Sequence, residues 1–122
     1  MVKKALDLFC GTKSVAKVLE TLGYQVDTLD IDAKFNPTFC TSIFDWDYKN
    51  IQIHYDIIHM SPPCTRYSKA RTTGGPREME KVADPLVKKA LEIVEYQQPR
   101  MWTMENPKAL LRTRDFMENI II

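Results

Sequence analysis

The sequence lacks what would commit it to a membrane, a secretory route or a disulfide-stapled scaffold. No run approaches the ~18 consecutive apolar residues that a bilayer-spanning helix needs. Met1-Val2-Lys3-Lys4 passes into a short apolar stretch interrupted by Asp7, without the roughly 7–15-residue apolar core of a signal peptide. The expectation is a cytoplasmic protein. Cysteine is scarce and scattered, with Cys10, Cys40 and Cys64 far apart in the chain, which argues against a disulfide framework inside a cell. No CxxC or HxxxH spacing occurs, and His54 and His59 fall on one strand-like stretch, so no metal site is expected. The full G-x-G-x-x-G pattern is missing, which counts against a nicotinamide dinucleotide. Net charge is only +1, so no global field marks a nucleic-acid partner. Internal repeats, low-complexity tracts and interdomain linkers are also lacking.

What is present is ordinary for a globular chain. The 122 residues suffice for one domain with one core, and 44% hydrophobic with 27% charged residues is a typical balance. Short β-rich runs alternate with helical ones. Ala5-Leu6-Asp7-Leu8-Phe9 reads as a buried strand, and Val15, Val18, Leu19 and Leu22 give a helical face over residues 14–22, stopped by Gly23. Further strands are expected at residues 25–29, 38–40, 55–60 and 101–104, while residues 45–50 are ambiguous. Asp84-Pro85 opens a helix that ends before Pro99, and a last helix starts near Thr113. Such alternation predicts an α/β fold: a Rossmann-like parallel sheet with helices on both faces.

The polar residues cluster just beyond the predicted strands: Cys10-Gly11, Asp30, Ser42, Ser61 to Cys64, and Glu105-Asn106. Ligands of open α/β sheets bind outside the carboxyl ends of the strands, so separate segments converge on one crevice. In Asp7-Leu8-Phe9-Cys10-Gly11, a strand runs into a glycine turn and a helix start, where backbone can approach a ligand closely. Asp30-Ile31-Asp32 follows the second strand, about 20 residues beyond the glycine turn, where such folds place an acid on ribose hydroxyls; a helix-capping carboxylate is the plainer reading. Ser61-Pro62-Pro63-Cys64 holds a thiol behind two stiff residues, and Cys64 leads into a loop with Arg66, Ser68, Lys69, Arg71 and Arg77 but no acid over residues 64–77. Cations beside a thiol favour thiolate, and a cationic loop suits phosphates. The alternatives are a buried structural cysteine and a solvated surface loop.

Taken together, these segments resemble the cytosine-C5 DNA methyltransferases. Asp7-Leu8-Phe9-Cys10-Gly11 is similar to that family's cofactor motif, Pro63-Cys64 to its nucleophile motif, and Glu105-Asn106 to its glutamate motif, with Pro107 where valine is usual. The likeness runs roughly from Ala5 to Phe116. It implies the class I methyltransferase sheet, strand order 3-2-1-4-5, and S-adenosylmethionine as cofactor, leaving S-adenosylhomocysteine. By resemblance Cys64 and Glu105 are catalytic. Asp7, Phe9, Cys10, Gly11, Asp30, Ile31, Ser42, Ile43 and Pro62 form the cofactor site: Phe9 and Ile31 beside the adenine, Gly11 along the methionine part, Asp30 on the ribose. Asn106, Arg66, Ser68 and Arg71 are the expected substrate contacts. DNA is the expected partner, with RNA also open.

Departures from the family pattern stand at two positions. Lys13 replaces the next glycine, which weakens binding of a cationic cofactor unless the lysine reaches the methionine carboxylate. Ser42 replaces an adenine-binding aspartate and accepts hydrogen bonds less strongly. The family continues beyond the glutamate motif with an arginine motif and a target-recognition region. Residues 1–122 are therefore expected to be a partial catalytic domain without target recognition, similar to compact phage or viral forms that work in a host cell's interior. The apolar Asn119-Ile120-Ile121-Ile122 suggests a homo-oligomer or a completing chain. The alternative to an enzyme is a catalytically incomplete fragment that binds cofactor or nucleic acid.

Overall fold

The computed structural model describes residues 3–11, 13–62 and 84–105. Within them run β1 (Lys4–Leu8), α1 (Ser14–Thr21), β2 (Gln25–Asp30), a 3-10 turn (Ala33–Phe35), β3 (Phe39–Cys40), β4 (Ile57–Met60), α2 (Asp84–Gln97) and β5 (Met101–Met104). All strand pairs are parallel, in the order β3-β2-β1-β4-β5, as the Rossmann-like reading requires. The loop from Cys64 to Arg77, the last helix expected near Thr113 and the apolar Asn119–Ile122 lie outside the described residues.

Period-2 alternation sends each strand's side chains to two different layers. Leu6 and Leu8 of β1 join Leu29, Ile58, Met60 and Met104 from neighbouring strands, and Val87, Ala90, Ile93 and Val94 of α2 close over them. Each such fully buried aliphatic side chain contributes about 1.5–3 kcal/mol relative to exposure. On the opposite face, α1 covers a smaller cluster of Ala5, Leu19 and Ile57, flanked by Val15, Tyr24 and Val26. Helices on both faces are what a parallel sheet needs, since its crossovers must pass over it.

The helical stripe of α1 differs from expectation. Ala16 and Leu19 are the buried residues, whereas Val18 and Leu22 are 59% and 68% exposed. Leu19 packs on Ala5 and Ile57, with Val15 beside them, and Val18 turns away from that contact. Leu22 falls at the cap because the helix ends at Thr21. Gly23, at φ +97°, closes it: Gly23 N–H donates to Glu20 O and Tyr24 N–H to Leu19 O, the paired bonds of a Schellman stop. Residues 45–50 form successive turns that drive Trp46 and Tyr48 into the larger core.

The amino-terminal edge of the sheet is tied by side chains. Tyr55 Oη donates to Asp27 at 2.8 Å, and Lys4 pairs with the same carboxylate at 3.2 Å. Arg100 reaches Asp56 at 3.3 Å and Tyr24 Oη at 3.2 Å. These contacts all lie at the end opposite the carboxyl edge.

Candidate functional site

Backbone bonding continues one residue beyond β3, β4 and β5 and two beyond β1. Cys10 N–H donates to Leu29 O at 3.1 Å, Ser61 N–H to Leu8 O at 3.2 Å, Glu105 N–H to Met60 O at 2.9 Å, and Thr41 N–H to Asp30 O at 3.1 Å. Backbone bonds, not side-chain chance, therefore place Cys10, Ser61 and Glu105 in one row along the carboxyl edge. Of the residues expected from sequence, this row gathers Cys10, Glu105 and, next to Ser61, the buried Pro62. Cys64, Arg66, Ser68, Arg71 and Asn106 lie outside the described residues.

The turn after β1 is built on left-handed backbone. Phe9, Gly11 and Lys13 have φ of 59°, 49° and 65°, so every second residue reverses the chain. Asp30 fixes this turn from β2: its carboxylate accepts from Gly11 N–H at 3.0 Å and from Asp32 N–H at 2.9 Å. A Cβ added at Gly11 would meet nothing within 4 Å among the described residues. Lys13 Nζ donates to Asn36 O at 2.7 Å. The lysine thus bridges to the loop after β2.

Asp7 sits beneath the turn, 1% exposed, with its Oδ1 lacking any hydrogen-bond partner among the described residues. Burial first, then the charges of Asp30 and Glu105, push its pKa up to about 7. Cys10 is buried too; burial and the nearby Asp30 and Asp7 charges raise its thiol pKa, against a hydrogen bond with Thr28. Cys10 is accordingly a poor nucleophile.

The remaining cofactor candidates are placed unevenly. Ile31 is 73% exposed directly after β2, an uncovered apolar side chain beside Asp30. Phe9 is half-buried and packs on the larger core, and Ile43 is buried within it. Ser42 Oγ accepts from Phe44 N–H at 3.2 Å, which shapes its turn. Among the described residues, no group of three or more His, Cys, Asp or Glu side chains could hold a metal ion.

Sequence reasoning missed a second row. Asp7 pairs in register with Thr28 on β2 and with His59 on β4, and His59 with Thr103 on β5. All four share the face covered by α1. The row one step nearer the amino edge, Val26-Ala5-Ile57-Met101, is wholly apolar. The face therefore changes from apolar to polar just before the strands end. His59 Nδ1 lies 2.7 Å from Thr103 Oγ1 and its Nε2 2.9 Å from Ser61 Oγ. Burial lowers its pKa, opposed by Glu105, which leaves the imidazole neutral near pH 7. The only signal was a polar residue inside the otherwise apolar β4 and β5, His59 and Thr103, and Asp7 within β1.

Residues 4–121 match the C-5 cytosine-specific DNA methylase family. A probable DNA (cytosine-5)-methyltransferase of Frog virus 3 (isolate Goorha) is 34% identical over 118 residues, covering 85% of this chain and 53% of the viral protein. The chain thus spans about half the length of that curated relative.

Proposed function

The chain belongs to the C-5 cytosine-specific DNA methylase family, and on that premise we propose that it supplies the cofactor side and the nucleophile for methyl transfer from S-adenosylmethionine to carbon 5 of cytosine in DNA. The observation carrying this reading is the carboxyl-edge row, in which the β1 turn, Ser61-Pro62 and Glu105 are held side by side by ladder hydrogen bonds.

The residues fit a cationic cofactor. Asp7 offers a buried oxygen without a partner among the described residues, and Asp30 and Glu105 add negative charge around it. A sulfonium or ammonium group placed there would favour the ionised form of Asp7. Asp30 has lone pairs left after its two backbone bonds and can accept from ribose hydroxyls. Ile31 offers an uncovered apolar side chain for the adenine ring. Bound there, the cofactor would supply an electrophilic methyl group.

Carbon 5 of cytosine is a weak nucleophile until carbon 6 is attacked. By resemblance Cys64 forms the bond to carbon 6, which makes carbon 5 enamine-like. Glu105 hydrogen-bonds the pyrimidine edge and donates the proton at nitrogen 3 that stabilises the adduct. Loss of the carbon-5 proton after transfer releases the thiol. In duplex DNA the base must leave the stack to reach these groups. Arg66, Arg71 and Ser68 then serve phosphates, and Asn106 the base.

The test is covalent trapping with the complete protein, cofactor and DNA containing 5-fluorocytosine. The expected product is a cofactor-dependent adduct that maps to Cys64 and is lost in Cys64→Ser. Binding of both ligands without any adduct would overturn the reading. RNA of the same sequence, run alongside, separates the two nucleic acids.

A further inference from the structure

The buried His59 is used by none of the steps above, yet it joins three strands at the carboxyl edge. Its register partners are Asp7 on β1 and Thr103 on β5. Its two ring nitrogens contact Thr103 Oγ1 and Ser61 Oγ at 2.7 and 2.9 Å. Both ring nitrogens are thus engaged although His59 is only 8% exposed.

A neutral imidazole has one donor and one acceptor nitrogen, so the two hydroxyls must play opposite parts. The surroundings choose between the arrangements. Asp30 from the end of β2 and Glu105 from the end of β5 make the edge beyond the row negative. Lys13, the cation of the β1 turn, is bonded to Asn36 O. An O–H dipole pointing out of the row toward this negative edge is favoured over one pointing inward. This requires Nε2–H to donate to Ser61 Oγ, and Thr103 Oγ1–H to donate to Nδ1. Ser61 then shows its proton to the crevice, between Cys10 on one side of the row and Glu105 on the other.

We propose that His59 is a positioning residue of this site: anchored on Thr103, it orients the Ser61 hydroxyl as a fixed hydrogen-bond donor, between the cofactor turn and Glu105, for an oxygen of the bound ligands. The assignment rests on the methyl-transfer reading for its ligands, while the His59–Ser61–Thr103 arrangement stands apart from it. A preset donor spares the reacting groups a reorientation at the moment of transfer, and a misplacement of about 1 Å in such groups costs up to 100-fold in rate.

The test is a double-mutant cycle in the complete protein, read as single-turnover methyl transfer to cytosine-containing DNA, with thermal melting as the check on folding. His59→Leu and Ser61→Ala are each expected to slow transfer about tenfold or more. The double variant should be no slower than the worse single one, because His59 acts through Ser61. His59→Gln, whose amide nitrogen reaches the Nε2 position, should recover most of the rate. If His59→Leu does not fold, His59→Asn takes its place, since its amide stops at the Nδ1 position. An unchanged rate in the His59 variant, or effects that multiply in the double one, overturns the proposal. Nitrogen-15 NMR of the imidazole gives a second readout. A neutral Nε2–H tautomer at pH 7 supports the arrangement, and the Nδ1–H tautomer or an imidazolium overturns it. If the unaltered protein transfers no methyl group, the methyl-transfer reading falls, and the NMR result alone decides the His59 arrangement.

Discussion

Asp7 and His59 face each other across the β1–β4 ladder as register partners, one a buried carboxyl with an oxygen unpaired among the described residues, the other a buried imidazole with both nitrogens engaged. The two answer the same burial differently. His59 avoids charge by staying neutral. Asp7 is held at a pKa of about 7, so its charge depends on the medium and on what binds beside it.

That gives the first prediction. The folded-state pKa of Asp7 is raised above 3.8 to about 7, so between those values the native chain keeps a proton that the unfolded chain has lost. Stability from this group is complete below about pH 4 and falls as pH rises toward 7. Asp7→Asn should therefore melt near the unaltered protein at pH 4 and above it at pH 8. The same variant should bind S-adenosylmethionine more weakly, because the neutral amide cannot attract a cation. Urea unfolding at both pH values and calorimetry check the two effects. A stability difference independent of pH would remove the ionisation argument.

The β1 turn makes a second, purely conformational prediction. Lys13 stands at φ 65° and ψ 25°, a left-handed conformation that costs a side-chain-bearing residue about 1 kcal/mol. Lys13→Gly and Lys13→Ala both lose the bond to Asn36 O, but only glycine relieves the backbone. The glycine variant should be more stable than the alanine variant by about 1 kcal/mol, read as the difference in denaturation midpoints. Equal stability would mean that the turn is not held in this conformation in solution.

A third prediction concerns the segment that delivers β4. Gln97, at the end of α2 and 7% exposed, accepts from Tyr55 N–H at 3.0 Å and donates to Ile53 O at 2.9 Å. One side chain thus completes the backbone bonding of residues that precede β4 without being part of the sheet. Gln97→Leu keeps the volume and strands both groups, at a cost of about 2–4 kcal/mol. Chemical denaturation measures it. A loss under about 1 kcal/mol would show that water replaces the amide at this position.

The fold was legible because its signals are local. Leu6, Leu8, Ile57 and Ile58 lie in apolar runs, Gly23 ends a helix, and Pro85 opens one. Strand limits moved by a residue or two where turn geometry decides them, as at Phe9, whose positive φ takes it out of β1. The stripe on α1 was misjudged at Val18 because its rotation is set by contact with Ala5, which no local spacing encodes. The positions of Asp30 and Glu105 at strand ends were legible because they follow from the strands themselves. Thr28, His59 and Thr103 were missed because a single polar residue in a strand says nothing until the register aligns it with others. Register is a property of strand pairs, and here it alone turns isolated residues into a row.

The cysteines offer the last prediction, which separates the candidate nucleophile from its neighbours. Cys10 is 8% exposed, and burial with the Asp30 and Asp7 charges raises its pKa. It should therefore be a protonated, inaccessible thiol at pH 7 and resist alkylation in the folded protein. Cys40 is exposed, donates to Ile31 O at 3.8 Å, and should react at the rate of an ordinary thiol. Cys64, with Arg66 and Lys69 close in sequence, should react faster than Cys40 if those cations favour its thiolate. Timed iodoacetamide labelling with peptide mapping resolves the three. Urea should release Cys10 and bring all three rates together. Labelling of Cys10 ahead of Cys64 in the folded protein would move the nucleophile to the β1 turn and exclude the assignment of Cys64.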